Sequence, residues 1–256
     1  MKLHTSLFLT AALALSLASC GSNKQKDAAA AEGDTAKTAQ ATTQTVDVDG
    51  HKFVDLGLPS GLLWAETNIG AETAADAGEF FAWGETAPKK DYTWDTYKFG
   101  NADLNEYENV TKNHFNKYTG KDDKAVLDKE DDAATVNWGS SCRMPTEEEI
   151  DELGNEEYVE RKWDVRKNSK GEDVHGYVLT SKKNGNSIFL PAAGSYTKSM
   201  VIGADYAGNY WSTTLSSQED YSLSVYLSIK ENNTFNSSYD GKRCTGCNVR
   251  PVAKKQ

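Results

Sequence analysis

The chain has 256 residues and a formal net charge of −10, from 28 Lys and Arg against 38 Asp and Glu. With 38% apolar and 26% charged residues it has the balance of a soluble globular protein, which excludes a disordered or collagen-like chain. The acidic excess argues against nucleic acid as a general partner, because a phosphate-binding surface needs positive potential. Abundant Trp, Tyr and Phe, with Gly, Asn, Ser and Thr beyond residue 45, favour sheet and loop over a helical bundle.

Met1-Lys2-Leu3-His4 is a short basic start, and Leu7 to Ala18 is an apolar run. That run is shorter than the roughly 20 residues a bilayer span needs. It ends in Leu17-Ala18-Ser19-Cys20, so residues 1–19 read as an export signal. The Cys after Leu-Ala-Ser resembles a bacterial lipobox, which makes Cys20 the acylated first residue of the mature chain. Acyl chains anchor a protein at about 0.8 kcal/mol per buried CH₂. Loss of Lys2 with the signal takes the charge from −10 to −11. Residues 20–45 then form a tether: positions 21–45 hold seven Ala and five Thr but no large apolar side chain. Such a stretch buries too little to offset its ordering entropy. Asp34-Thr35-Ala36 resembles a short O-glycan acceptor, against the plainer reading of a linker.

Residues 46–256 are long enough for one core that buries roughly 70% of the extended-chain surface. Val46-Asp47-Val48 and His51 to Leu56, around Asp49-Gly50, read as a hairpin on a two-residue turn. A calcium loop is the weaker reading, because its later acidic positions are missing. Leu62 to Ala65 and Glu79 to Trp83 read as strands. Residues 86–130 read as a long ordered loop studded with aromatics, with a short helix near Ala125 to Ala134. Pro145-Thr146-Glu147-Glu148-Glu149 is the clearest helix start, since Thr146 and Glu149 fit a capping box. Ile150 and Leu153 are its core face, and Gly154 its end. Glu147 to Glu149 are read as solvated helix residues rather than catalytic acids.

Strands follow at Tyr158 to Val165, Tyr177 to Thr180 and Ser187 to Leu190, the last two joined through Asn184-Gly185. Gly208 to Ser212 is another. Tyr221 to Ile229 alternates, with Tyr221, Leu223, Val225, Leu227 and Ile229 on a buried face and Ser222, Ser224, Tyr226 and Ser228 on an exposed one. Asn248 to Val252 closes the domain.

Several segments resemble one family: Val54 to Ala65 (VDLGLPSGLLWA), Phe81 to Thr86 (FAWGET), Arg143 to Glu149 (RMPTEEE), Ile188 to Gly194 (IFLPAAG), Gly208 to Thr213 (GNYWST) and Asn248 to Val252 (NVRPV). In this order they resemble the Fibrobacter succinogenes major paralogous domain group of gut-bacterial lipoproteins. The resemblance covers nearly all of residues 46–256. It implies an α+β, C-type-lectin-like fold, mainly antiparallel sheets with one or two helices. It also implies ligand display from the C-terminal strand and loops.

The residues suit that role. Tyr206, Ser222, Ser224, Tyr226, Asn232, Asn233, Asn236, Ser238 and Tyr239 are the candidate binding residues. Tyr gives large contact area at low entropy cost, and Ser and Asn give adaptable hydrogen bonds. The partner class is a protein or a glycan, with Trp211 kept for the core. The Glu-Pro-Asn, Gln-Pro-Asp and Trp-Asn-Asp signatures of calcium-dependent lectins are missing, so no metal or cofactor is expected; the acids of 122–132 read as a solvated loop.

Formylglycine-generating oxidases share the fold and act through two cysteines, which makes Cys244-Thr245-Gly246-Cys247 the enzyme alternative. Its spacing is tighter than theirs and the surrounding Arg/Ser pattern is missing, so the chain is read as a binder and not an enzyme. A structural or fimbria-associated subunit is the third reading. The resemblance makes the helix start and the last strand neighbours, so a disulfide from Cys142 to Cys244 or Cys247 is expected. A reactive Cys-x-x-Cys pair and a zinc site with His175 rank below it. The expected location is the membrane, as an outer-membrane lipoprotein on a periplasmic or cell-surface face.

Overall fold

The computed structural model describes residues 43–101, 110–216 and 222–255, which lie in one unit spanning Gln40–Gln256. The expected signal, Cys20, the Asp34-Thr35-Ala36 motif, most of the expected tether and Tyr221 lie outside the described residues. Ordered contacts begin a little before the expected boundary at 46, since the Gln44 N–H donates to Asn186 Oδ1 at 3.2 Å. Among the described residues no helix is long and apolar enough to cross a membrane.

The fold is α+β and mainly antiparallel. β1 (Thr45–Val48) and β2 (His51–Asp55) form the expected hairpin. Its turn residues Asp49 and Gly50 have φ of 51° and 84°, the left-handed pair that a tight hairpin needs. β3 (Leu62–Ala65) pairs with β2. α1 (Ala133–Trp138), capped by Asp132, leads to β4 (Cys142–Arg143). α2 (Glu147–Gly154) starts at the expected capping box: Thr146 Oγ1 accepts from Glu149 N, and Glu149 Oε2 accepts from Thr146 N.

β5 (Val159–Lys167), β6 (Asp173–Ser181) and β7 (Ser187–Pro191) form a three-stranded meander. β8 (Ser195–Thr197) and β9 (Met200–Ile202) make a small hairpin. β10 (Ala207–Leu215), β11 (Leu223–Lys230) and β12 (Thr234–Lys242) form a second meander. β13 (Val252–Lys254) returns between β3 and β4, so the first sheet runs β1-β2-β3-β13-β4 and joins the two ends of the domain.

Three expectations shift. Residues 79–83 form no strand and make single contacts rather than a ladder: Phe81 N–H donates to Cys247 O and Trp83 N–H to Arg243 O, both at 2.9 Å. The helix expected over 125–134 is a single 3₁₀ turn at Lys129–Asp131 followed by α1, because Asp132 takes the cap. β6 begins at Asp173, ahead of the expected Tyr177.

The core has an α2 side and an aromatic side. α2 lays Ile150 and Leu153 against Leu227, Ile229 and Phe235. On the aromatic side Trp94, Tyr97, Phe99, Phe115 and Tyr118, from the long loop, pack on Trp83 and Trp211. The two tryptophans are cross-tied: Trp83 Nε1 donates to Ser212 O at 3.0 Å and Trp211 Nε1 to Phe81 O at 2.8 Å. Arg243 is fully buried there. Its guanidinium carbon lies 4.4 Å from the Phe115 ring centroid and 4.9 Å from that of Trp83. Its Nε donates to Tyr97 Oη at 2.9 Å and Nη1 to Tyr118 O at 3.0 Å. Rings and carbonyls replace the water such a cation would lose.

Candidate binding surface

The candidate residues divide among three places. β11 is the central strand of its sheet, and cross-strand pairs share a face. Trp211, Tyr226 and Ser238 form one rung, and Asn209, Ser228 and Asn236 the next. The opposite face carries Leu227, Ile229 and Phe235 onto α2, together with Ser237 and Tyr239. Ser237 Oγ donates to Asp151 Oδ1 at 2.5 Å, and Tyr239 Oη donates to Glu147 Oε1. That bond to Glu147, with burial adding to it, pushes the Tyr239 phenol up to about 12. Tyr239 is thus engaged with the helix start and does not share a face with Tyr226.

The Ser face of β11 is not exposed as expected. Ser222, Ser224 and Ser228 are buried, and Ser224 Oγ makes no hydrogen bond. The physical reason is that both faces of this central strand are covered, by α2 on one side and by aromatic loops on the other. Tyr226 is half-buried. Its ring meets Trp211 edge-on at 5.8 Å, and its hydroxyl donates to Asp240 Oδ1 at 2.9 Å. Ser238 Oγ donates to the same oxygen at 2.5 Å and, with Tyr226, holds the Asp240 carboxyl below the usual range. Ser222, Ser224 and Tyr226 therefore serve packing. Of that face, Asn236 is exposed, and Ser238 is partly so.

The remaining candidates meet at the end of the sheet. The Glu231 N–H donates to Tyr206 O at 3.2 Å, which seats the β11–β12 turn beside Tyr206. In that turn Asn232 Oδ1 accepts from Thr234 Oγ1 at 2.7 Å, and Asn233 has a left-handed φ of 68°. Tyr206 is 57% exposed. Its hydroxyl lies 3.7 Å from where a Cβ on Gly203 would stand, so the ring lies along the end of β9. β9 itself was not foreseen as a site, yet Met200, Val201 and Ile202 are exposed by 64%, 43% and 50%. The available signal was three consecutive apolar residues directly after Lys198-Ser199, too short a run to show a period. Val201 also lines a cavity of about 600 Å³. Its floor includes Phe80, Ala192, Ala193 and Ala204, and Glu172, Asp173 and Asp205 stand along it.

The cysteines do not form the expected bridge. Cys142, Cys244 and Cys247 are buried and carry no disulfide. The helix start and last strand are indeed neighbours, but Cys142 pairs with Ala253 in β13, whereas Cys244 and Cys247 precede that strand and lie in the aromatic core. Burial, with Asp49 and Asp132 nearby, pushes the Cys142 thiol up to about 11, and burial raises Cys247 well above its ordinary value. Such thiols are poor nucleophiles.

Asp128, Glu130 and Asp131 converge as a metal site would, but a lysine fills the position. Lys117 Nζ lies 2.7, 3.2 and 2.5 Å from their carboxylates in turn. His175 faces Asp205, with Nδ1 3.6 Å from its carboxylate. Comparison with family models, curated proteins and solved structures returns no match to this chain.

Proposed function

We propose that the chain is an exported lipoprotein, anchored through Cys20, whose C-type-lectin-like domain binds a protein ligand at the tip formed by β9 and Tyr206. One observation carries this reading. Among the described residues, Met200, Val201, Ile202 and Tyr206 supply half of the large exposed hydrophobic side chains, all within seven consecutive positions. Apolar side chains gathered at one exposed tip support an interaction surface. Asn232 and Asn233 stand beside it as adaptable hydrogen-bonding groups. Aliphatic side chains favour a protein over a glycan, because sugar rings stack on aromatic faces and need several polar partners. The carboxylates beside Val201 favour a partner with a basic side chain. The buried, high-pKa thiols support binding over cysteine oxidation.

The test is an array of cell-surface proteins and glycans probed with the full chain in detergent. Met200→Ser/Ile202→Ser/Tyr206→Ala should lose protein binding with an unchanged melting temperature. Equal binding by the variant, or binding to glycans alone, would move the site elsewhere.

A further inference from the structure

We propose that a second cavity, remote in sequence from the β9 tip and bounded by Leu127, β4 and β13, binds a small organic anion: one carboxylate head on an apolar body. The cavity measures about 700 Å³, the size of a typical small-molecule site. Buried Leu127, Cys142 and Ala253 line it, and exposed Val126 extends the apolar wall. None of its lining residues belongs to the tip or its adjoining cavity, so this inference does not rest on the reading above.

The charges select the ligand's sign. The lining holds one carboxylate, Asp132, and three cations, Lys129, Arg143 and Lys254. Asp132 is buried and already committed: Oδ1 accepts from Thr135 N at 2.9 Å, and Oδ2 from Met144 N at 2.9 Å. It therefore offers little to an incoming cation. Arg143 is matched by Glu149, with bonds of 2.7 and 2.5 Å. Lys129 and Lys254 are exposed and have no carboxylate partner among the described residues. Two unmatched ammonium groups beside an apolar cavity stand out on a chain of net charge −10. They attract an anionic head, while the Val126, Leu127 and Ala253 surface gains by covering an apolar body. The Ser141 hydroxyl at the exposed edge is a further donor to the head.

The test uses the full chain in detergent-free nanodiscs with ¹³C-labelled methyl groups. Sodium decanoate is titrated below its micelle concentration, with decylammonium as the probe of equal length and opposite charge. Decanoate should shift the methyls of Val126, Leu127 and Ala253, and decylammonium should bind there at least tenfold more weakly. Lys129→Glu/Lys254→Glu should weaken decanoate at least tenfold, and Ser141→Trp, which fills the edge from an exposed position, should block it. Equal affinity for the two probes, an unchanged decanoate affinity in both variants, or shifts confined to Met200 and Ile202 would overturn the assignment. The last outcome leaves the protein-binding tip intact, so the two proposals fail separately.

Discussion

Tyr226 and Tyr239, on adjacent strands of one hairpin, face opposite sides of the sheet they share. Tyr226 leans edge-on against Trp211, and Tyr239 reaches Glu147 at the start of α2. Their removal should therefore have different consequences. Tyr226→Ala opens a gap beside a fully buried Trp and should cost about 2–4 kcal/mol, in the range of aromatic truncations in cores. Tyr239→Phe removes one partly exposed hydrogen bond and should cost no more than about 1 kcal/mol. Urea unfolding measures both, and a Tyr226→Ala protein as stable as wild type would show that the ring is not packed as described.

Gly241 sits beneath the same pair of rings. A Cβ there would stand 2.5 Å from Tyr226 Cδ1 and 2.7 Å from Trp211 Cζ3. Trp211 has no room to yield, because it is fully buried and its indole N–H is tied to Phe81 O. Gly241→Ala should destabilise by about 1–3 kcal/mol, the usual penalty of overpacking. Combined with Tyr226→Ala the penalty should fall, because the smaller side chain leaves space. Additive losses in the double variant would refute the shared contact.

These contacts show why the site was harder to read than the scaffold. The β1–β2 turn and the α2 cap are local devices, in which Asp49-Gly50 and Thr146/Glu149 carry their own geometry. Sequence shows them without reference to the rest of the chain. The alternation of β11 was also legible, but not what covers its Ser side. That cover comes from rings and loops remote in sequence, and a strand buried on both faces with Ser in one row looks like a half-exposed strand. The Met200–Ile202 patch was missed for the converse reason. Three apolar residues in a row suggest burial, and only the packing of the rest leaves them outside.

Acid should unfold the protein through the Lys117 cluster. Burial opposes ionisation of Asp131, but hydrogen bonds from Lys117, Lys98 and Tyr118 outweigh it and hold the carboxyl below the ordinary range. Asp128 is lowered chiefly by its hydrogen bonds to Lys117 and Lys124. A carboxyl with a folded value below its unfolded one, about 3.9, stabilises fully above that value. The contribution is lost as pH falls through the lower folded value. Asp131→Asn should therefore be less stable than wild type at neutral pH, and the gap should narrow between about pH 4 and pH 2. A gap that stays constant over that range would separate Asp131 from the acid transition.

Tyr239 predicts the opposite limb. Its folded value of about 12 lies above the ordinary tyrosine value of 10.0. The bond to Glu147 contributes in full below the unfolded value and is lost as pH rises through the folded one. Wild type should lose stability relative to Tyr239→Phe between about pH 10 and pH 12. Parallel alkaline unfolding curves for the two proteins would mean that Tyr239 does not hold its proton against Glu147.

The thiols decide between a binding scaffold and a cysteine oxidase. Cys142 lies against β13, and Cys244 and Cys247 lie under the aromatic rings. Each is at most 5% exposed. Iodoacetamide reacts with thiolate, so burial makes all three slow to react, and the raised values of Cys142 and Cys247 slow those two further. Native protein should therefore take up no label at positions 142, 244 or 247, and protein denatured in guanidinium without reductant should take up three. Mass spectrometry reads both counts. Only one label in the denatured sample would reveal a bridge that the fold does not contain. Rapid native labelling at Cys244 or Cys247 would mean an accessible, activated thiol, and would return the oxidase reading to first place.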